Sequence, residues 1–181
     1  KDPMKISSLV TELGETSTHQ DFKRENPKSY FGAGFFIFDL AEKAEKLQLD
    51  YFLIEEEEIV SFEFLESDEV SSWQMKKHDE KIAIMKEQVI EVKIDIDDLE
   101  EAVHGAFREK NILMKPNKLI AILKENIWNV TVMDAMLGIA RVKIDCQSGE
   151  VLECGKESLM DFARVKGGDL GKKYDAVKKN I

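Results

Sequence analysis

Cysteine, proline and histidine are scarce in this sequence: two, three and three residues respectively in 181. Two cysteines cannot form the disulfide framework of a small secreted domain. They are Cys146 and Cys154, on either side of an expected hairpin turn. Whether the loop is Ser148-Gly149 or Gln147-Ser148-Gly149, they do not face each other. In the second register they lie about 13 Å apart along the strand, and a bridge needs Cα atoms within roughly 7 Å. Free thiols are therefore expected. The histidines are His19, His78 and His104, and no two have a metal-ligand spacing such as i, i+4. Each reads as a surface or structural side chain, with His104 the first choice for a functional one.

Long apolar runs are also missing. None approaches the roughly 18–20 residues that span a bilayer, and KDPMKISSLVTELGE contains no apolar signal region. Lys1-Asp2-Pro3 reads as an extension ahead of a native start at Met4, which makes the cytoplasm the expected location. Positive charge is in deficit, with 26 Lys and Arg against 36 Asp and Glu for a net charge of −10. That balance repels nucleic-acid phosphates and anionic membrane surfaces, so neither is expected as a partner.

Catalytic signatures are absent too. There is no Gly-x-Ser-x-Gly elbow, no Cys–His constellation and no phosphate-cradling loop, and Gly32-Ala33-Gly34 is too short for a dinucleotide fingerprint. Glu55–Glu58 would alternate in direction along a strand or turn and reads as a solvated hairpin tip rather than a cation cage. Asp95-Ile96-Asp97-Asp98 lacks the glycine of a calcium loop and precedes a helix, so capping explains it. The expectation is a protein without enzymatic activity, with no catalytic residues, metal or cofactor.

What the chain does have is periodicity. Ile6, Leu9, Val10 and Leu13 recur at helical spacing, and GETSTHQDFKREN reads as a polar connector. Asn26-Pro27 looks like a helix start, opening a greasy helix through PKSYFGAGFFIFDLAEKAEK, with a strand at 35–38 as the competing reading. Gly32 and Gly34 weaken that helix by about 1 kcal/mol each relative to Ala. They fit burial on most sides or close approach of another backbone. KLQLDYFLI and IVSFEFLE alternate with period two around the acidic tip, and VSSWQMKK can add a third strand. Asp95 opens the clearest helix, 95–110, with acids in its first turn, Arg108 and Lys110 in its last, and an apolar face of Ile96, Leu99, Val103, Ala106 and Phe107. NKLIAILKEN is helix or strand by periodicity, and its position favours strand. IWNVTVM, IARVKID and EVLEC complete a meander. KESLMDFARV reads as a short helix and 166–181 as a basic tail.

The pattern divides the chain into an N-terminal helix and connector (4–26), a first αβ half (27–94), a second αβ half (95–165) and the tail (166–181). The expected class is α+β, two helix-plus-antiparallel-meander halves sharing one core. The second half resembles the PepSY domain over roughly 95–154. The matching residues are Trp128, Val130, Val132, Val142, Ile144, Asp145, Gly149, Glu150, Val151 and Leu152, with a weaker echo in LQLDYFLIEEEEIVSFEF. The resemblance implies a cystatin-like helix over a sheet and, by analogy with protease propeptides, an inhibitory role. These 181 residues contain no protease domain of their own, a departure from that setting, and fold does not carry function with it.

The residues alone favour a module that binds a protein or peptide, including a second copy of itself, through a sheet face or an edge strand. The candidate surface comprises Tyr51, Phe64, Trp73, Trp128 and His104; core packing is the default reading for both tryptophans, and an aromatic patch follows only where one is exposed beside Tyr51 or Phe64. The alternative is a small-ligand carrier or enzyme with a pocket between helix and sheet, lined by Phe35, Phe38 and Trp128.

Overall fold

The computed structural model describes residues 3–41 and 44–157. Three helices, α1 (Ile6–Gly14), α2 (Ser17–Glu25) and α3 (Leu99–Glu109), accompany eight strands. These are β1 (Tyr30–Asp39), β2 (Ala44–Leu53), β3 (Glu58–Glu66), β4 (Ser71–Lys77), β5 (Lys118–Lys124), β6 (Ile127–Met133), β7 (Ile139–Asp145) and β8 (Val151–Glu157). The strands form a single antiparallel sheet in the order β4-β3-β2-β1-β5-β6-β7-β8.

That sheet corrects the expected two-half architecture. The pivot is residues 27–46, where the structure has strand β1 rather than a helix. β1 pairs with β2 on one side and with β5 on the other, from Ala33↔Lys124 to Asp39↔Lys118. The two meanders thus form one continuous sheet. A central strand covered on both faces reads as an unbroken apolar run, so it lacks the polar alternation that marks a half-exposed strand. Phe31 and Phe36 face the helices, while Ala33 and Ile37 face the other way, and all four are buried. Gly32 sits at the β1–β2 register shift, where a Cβ would overlap the Met85 thioether. The glycines do mark close approach, but of a side chain against a strand.

The polar stretch 14–26 is likewise not a connector, because it contains α2. The Thr16 hydroxyl accepts from the His19 N–H at 3.2 Å, Lys23 and Arg24 occupy the last turn, and Phe22 and His19 are its buried residues. One Phe and one His are too few to show as an apolar stripe.

The inner face of the sheet and the three helices share one core. Ile6, Leu9 and Leu13 of α1, Phe22 of α2, and Leu99, Val103, Ala106 and Phe107 of α3 lie on Leu49, Phe62, Leu123, Trp128, Val142 and Ile144. Trp128 is fully buried, and its indole N–H donates to the Ile94 carbonyl at 2.8 Å. On the outer face Ala33, Phe52 and Met85 make a smaller cluster, where the Tyr30 hydroxyl donates to the Met85 carbonyl.

Asp95 closes a capping box with Asp98 at the start of the α3 segment. Its Oδ1 accepts from the Ile96 N–H and from the Ile6 N–H, both at 2.8 Å, while Asp97 Oδ2 accepts from the Met4 N–H at 2.6 Å. The DIDD acids therefore cap two helices 89 residues apart. After β7, Asp145 Oδ1 accepts from the Gln147 and Ser148 N–H groups, and Gly149 takes φ +80°. Val142 pairs with Cys154, and both cysteines are free. The expected helix in KESLMDFARV begins at Lys156, which with Glu157 ends β8. Its remainder and the 166–181 tail lie outside the described residues.

Replacing Asp95 by Ala orphans two backbone donors, one of them in α1, and should cost about 2–3 kcal/mol. Asp95→Asn, which keeps the acceptor oxygen, should cost less than half of that. Urea unfolding of both variants measures the difference.

Candidate interaction edge

β4 ends the sheet, and among the described residues no strand lies beyond it. Its register with β3 runs from Val60↔Lys77 to Glu66↔Ser71 without a shift, whereas the β1–β2 pair contains two and the β7–β8 pair one. At the turn the Ser67 N–H donates to the Val70 carbonyl at 3.3 Å, and at the far end the His78 N–H donates to the Ile59 carbonyl at 3.2 Å. Bonded and non-bonded pairs alternate in an antiparallel ladder. The bonded β4 residues are therefore Ser72, Gln74 and Lys76. Ser71, Trp73, Met75 and Lys77 direct their N–H and C=O groups outward, away from β3.

The side chains along this edge are apolar in the middle and charged at the ends. Leu65, Val70 and Met75 are exposed at 39%, 66% and 42%. Trp73 is buried against Phe64, with ring centroids 5.3 Å apart. Glu66, Asp68 and Glu69 cluster at the turn end and Lys76 and Lys77 at the other, all exposed.

Behind the edge, on the inner face, α2 places His19 and Phe22 on an aromatic cluster. His19 lies 5.0 Å from Tyr51 and 5.3 Å from Phe62, both edge-on, and Phe22 lies 5.1 Å from Phe62. The His19 Nε2 and Trp73 Nε1 atoms are buried without a hydrogen-bond partner among the described residues. Burial lowers the His19 pKa from its ordinary 6.5, and the nearby Lys23 charge pushes the same way.

On the outer face the same strands carry a polar network. The Ser61 hydroxyl donates to Asp50 Oδ1 at 2.6 Å and lies 2.9 Å from His78 Nε2. Gln48 Nε2 donates to the Asp50 carboxylate at 2.8 Å and to Ser61 Oγ at 3.2 Å. Burial raises the Asp50 pKa, against the opposing pull of the Ser61 and Gln48 hydrogen bonds. The residue types are those of a hydrolase triad, but the wiring is not. In a triad the imidazole stands between carboxylate and hydroxyl, whereas here the hydroxyl is central and its single proton goes to the carboxylate. Ser61 is also only 3% exposed, out of reach of a substrate. The network ties His78, the residue after β4, to β3 and β2.

Of the residues singled out from sequence, Phe64 and Trp73 touch each other beneath the edge, and Tyr51 lies buried in the adjoining aromatic cluster. Trp128 belongs to the core under β6. His104, half-exposed on α3, has its Nε2 3.8 Å from Glu100 Oε1. The structure does not bring these two to the edge. Phe35 points to the outer face, where the Lys46 ammonium stands 5.3 Å from its ring centre, while Phe38 and Trp128 are on the core side. The three therefore do not line one cavity. Sequence reading named His19 and His78 as surface or structural side chains without placing them, and missed Asp50 and Ser61. The available signal was polar residues interrupting the apolar strands LQLDYFL and IVSFEF. No cluster of His, Cys, Asp or Glu suited to a metal ion occurs among the described residues.

No protein-family profile and no curated protein matches this chain. Among solved structures it is similar to a protein of Clostridium difficile 630, provisionally named a lipoprotein, at 13% identity and a TM-score of 0.43. The match covers 77% of this chain and 90% of that one. At that TM-score the likeness bears on neither fold nor function. Among the described residues no helix is long and apolar enough to cross a membrane.

His19 is held neutral in the fold, so its contribution to stability is complete above pH 6.5 and is lost as pH falls through its lowered folded pKa. The wild type should lose stability relative to His19→Phe below about pH 6.5, with a slope of at most about 1.4 kcal/mol per pH unit. Urea unfolding from about pH 7.5 to about pH 5 checks this, and parallel curves would show that His19 does not titrate with unfolding.

Proposed function

We propose that this protein is a non-enzymatic interaction module that recognises an extended polypeptide by strand addition at β4. The observation that carries the reading is the seven-residue, unshifted edge with four outward-directed backbone residues flanked by exposed Leu65, Val70 and Met75. Sheet edges are ordinarily blunted by proline, lysines, bulges or inward charges; β4 has no proline and no register shift, and its lysines, Lys76 and Lys77, are confined to one end. Strand addition uses main-chain pairing for affinity and side-chain contacts for selectivity. Here Trp73 and Met75 would face the added strand's neighbours on one side of the sheet and Gln74 on the other.

A reducing, cytoplasmic setting belongs to the same reading. Burial holds the Cys146 thiol up at about 11 and raises that of Cys154, so neither is primed for disulfide exchange. The PepSY resemblance and its inhibitory analogy add no observation of their own. In the best acid–base cluster the Ser61 hydroxyl is buried and gives its proton to Asp50.

Met75→Pro tests the proposal, because the Met75 N–H points outward and its loss leaves the β3 ladder whole. Peptides selected on the wild-type protein should bind this variant at least about tenfold more weakly, equivalent to about 1.4 kcal/mol, while the circular dichroism spectrum is retained. If neither a peptide nor a second copy of the chain engages the protein in a Met75-dependent way, the reading falls.

A further inference from the structure

We infer that the strand added at β4 is β4 of a second copy, antiparallel, about a two-fold axis passing through Gln74. The inference rests on the strand-addition reading and names its partner. Backbone geometry fixes the register. A two-fold at Gln74 pairs Ser71 with Lys77 and Trp73 with Met75 of the other copy. All four outward-directed residues then meet outward-directed residues as bonded pairs, and the whole strand is used. Shifting the partner by one residue sets outward groups against inward ones and breaks the ladder. Moving the axis to residue 73 or 75 keeps the ladder but shortens the overlap.

The side chains fit the same register. Residues directly opposite in an antiparallel pair share a face. Trp73 of each copy therefore stands beside Met75 of the other on the inner face. This covers a methionine that is 42% exposed and sets its sulfur near an indole. The charges choose the direction. Glu66 pairs with Ser71 across β3–β4, so the row Glu66–Ser71 continues into Lys77 of the second copy. The carboxylate and the ammonium-bearing residue are then two strand spacings apart, about 10 Å between backbones, a gap the two side chains can close. Asp68 and Glu69 add to the acidic end that receives Lys76 and Lys77. A parallel partner would place lysines beside lysines and acids beside acids. The two edge lysines thus reject a parallel strand and admit the antiparallel copy, which is selectivity by repulsion as well as attraction. The second copy also needs no separate partner to match an edge that is acidic at one end and basic at the other.

The axis position is tested by cross-linking in a Cys154→Ser background, Cys146 being fully buried. At the two-fold, residue 74 meets its own copy as a non-bonded pair with Cα atoms about 4.5 Å apart, within disulfide range. Gln74→Cys should form a covalent dimer on mild oxidation. Ser72→Cys should not, because residue 72 would face residue 76 and lie about 13 Å from its own copy along the strand. Linking through Ser72→Cys as readily as through Gln74→Cys overturns the register, and no linking through Gln74→Cys overturns the dimer.

A charge swap, read by sedimentation equilibrium on the full chain, tests the direction independently. Lys77→Glu should weaken self-association at least about tenfold, and Glu66→Lys combined with Lys77→Glu should restore it to within about threefold. A double variant as weak as the single one sinks the antiparallel pairing. A wild-type chain that stays monomeric while selected peptides still depend on Met75 refutes the second copy and leaves strand addition standing. Insensitivity of both to Met75→Pro removes both.

Discussion

The whole architecture depends on covering β1 on both edges and both faces. Its residues, from Tyr30 to Asp39, are too apolar to leave either face in water, and its backbone groups need partners on two sides. Pairing with β2 meets one edge and pairing with β5, some eighty residues later, meets the other. Once β1 joins the two meanders, the sheet is one body of eight strands, and among the described residues its outermost strands are β4 and β8. The helices then share one face because that is where Phe36, Leu49, Phe62 and Trp128 point. Gly32 follows from the same constraint, since Met85 fills the space where a side chain would stand.

The acids at 95–98 make the joint cooperative in a second way. A helix of nine residues such as α1 is marginal alone in water. Its first N–H, that of Ile6, finds its acceptor on Asp95, and the Met4 N–H just ahead of the helix finds one on Asp97, both at the mouth of the α3 segment. The beginning of the chain is thereby secured by its middle, and a stretch that in sequence looks like one helix cap works as two. Trp128 reinforces the same region, since its indole holds the Ile94 carbonyl just ahead of those acids.

How much of this was legible in the sequence varies with how a segment is buried. β2 and β3, β6 and β7, and the 95–110 helix each bury one face, so their apolar residues fall at period two or at helical spacing and the elements can be read directly. β1 buries both faces and loses its alternation. The error there propagated, because two halves with a helix apiece and one sheet with a central strand differ only in what residues 30–39 do. α2 was invisible for the opposite reason, having Phe22 and His19 as its only buried residues. At the edge, Trp73 and Phe64 could be picked as aromatics on strands. The pairing that makes β4 terminal depends on long-range topology, which no local pattern encodes. Core packing, the default reading for a tryptophan on a strand, holds for Trp128, which is fully buried, while His104, picked for its place beside the apolar face of the 95–110 helix, stands half-exposed away from the edge.

An edge strand that is to accept a partner has to be ordered before the partner arrives, since any ordering left to the encounter is subtracted from affinity. Terminal strands ordinarily fray, having neighbours on one side only. β4 is held from three directions. β3 supplies the ladder, and Trp73 is packed on Phe64 beneath it. The Asp50–Ser61–His78 network grips the residue that follows its last position. That network is placed where it does least for the core and most for the margin, on the outer face at the β3–β4 end, and it spends a buried serine and a desolvated carboxylate to do so. An all-apolar row across β2, β3 and β4 would pack at lower polar cost but would not reach His78. The polar insertions in LQLDYFL and IVSFEF thus tie the residue that follows β4 to its two neighbouring strands.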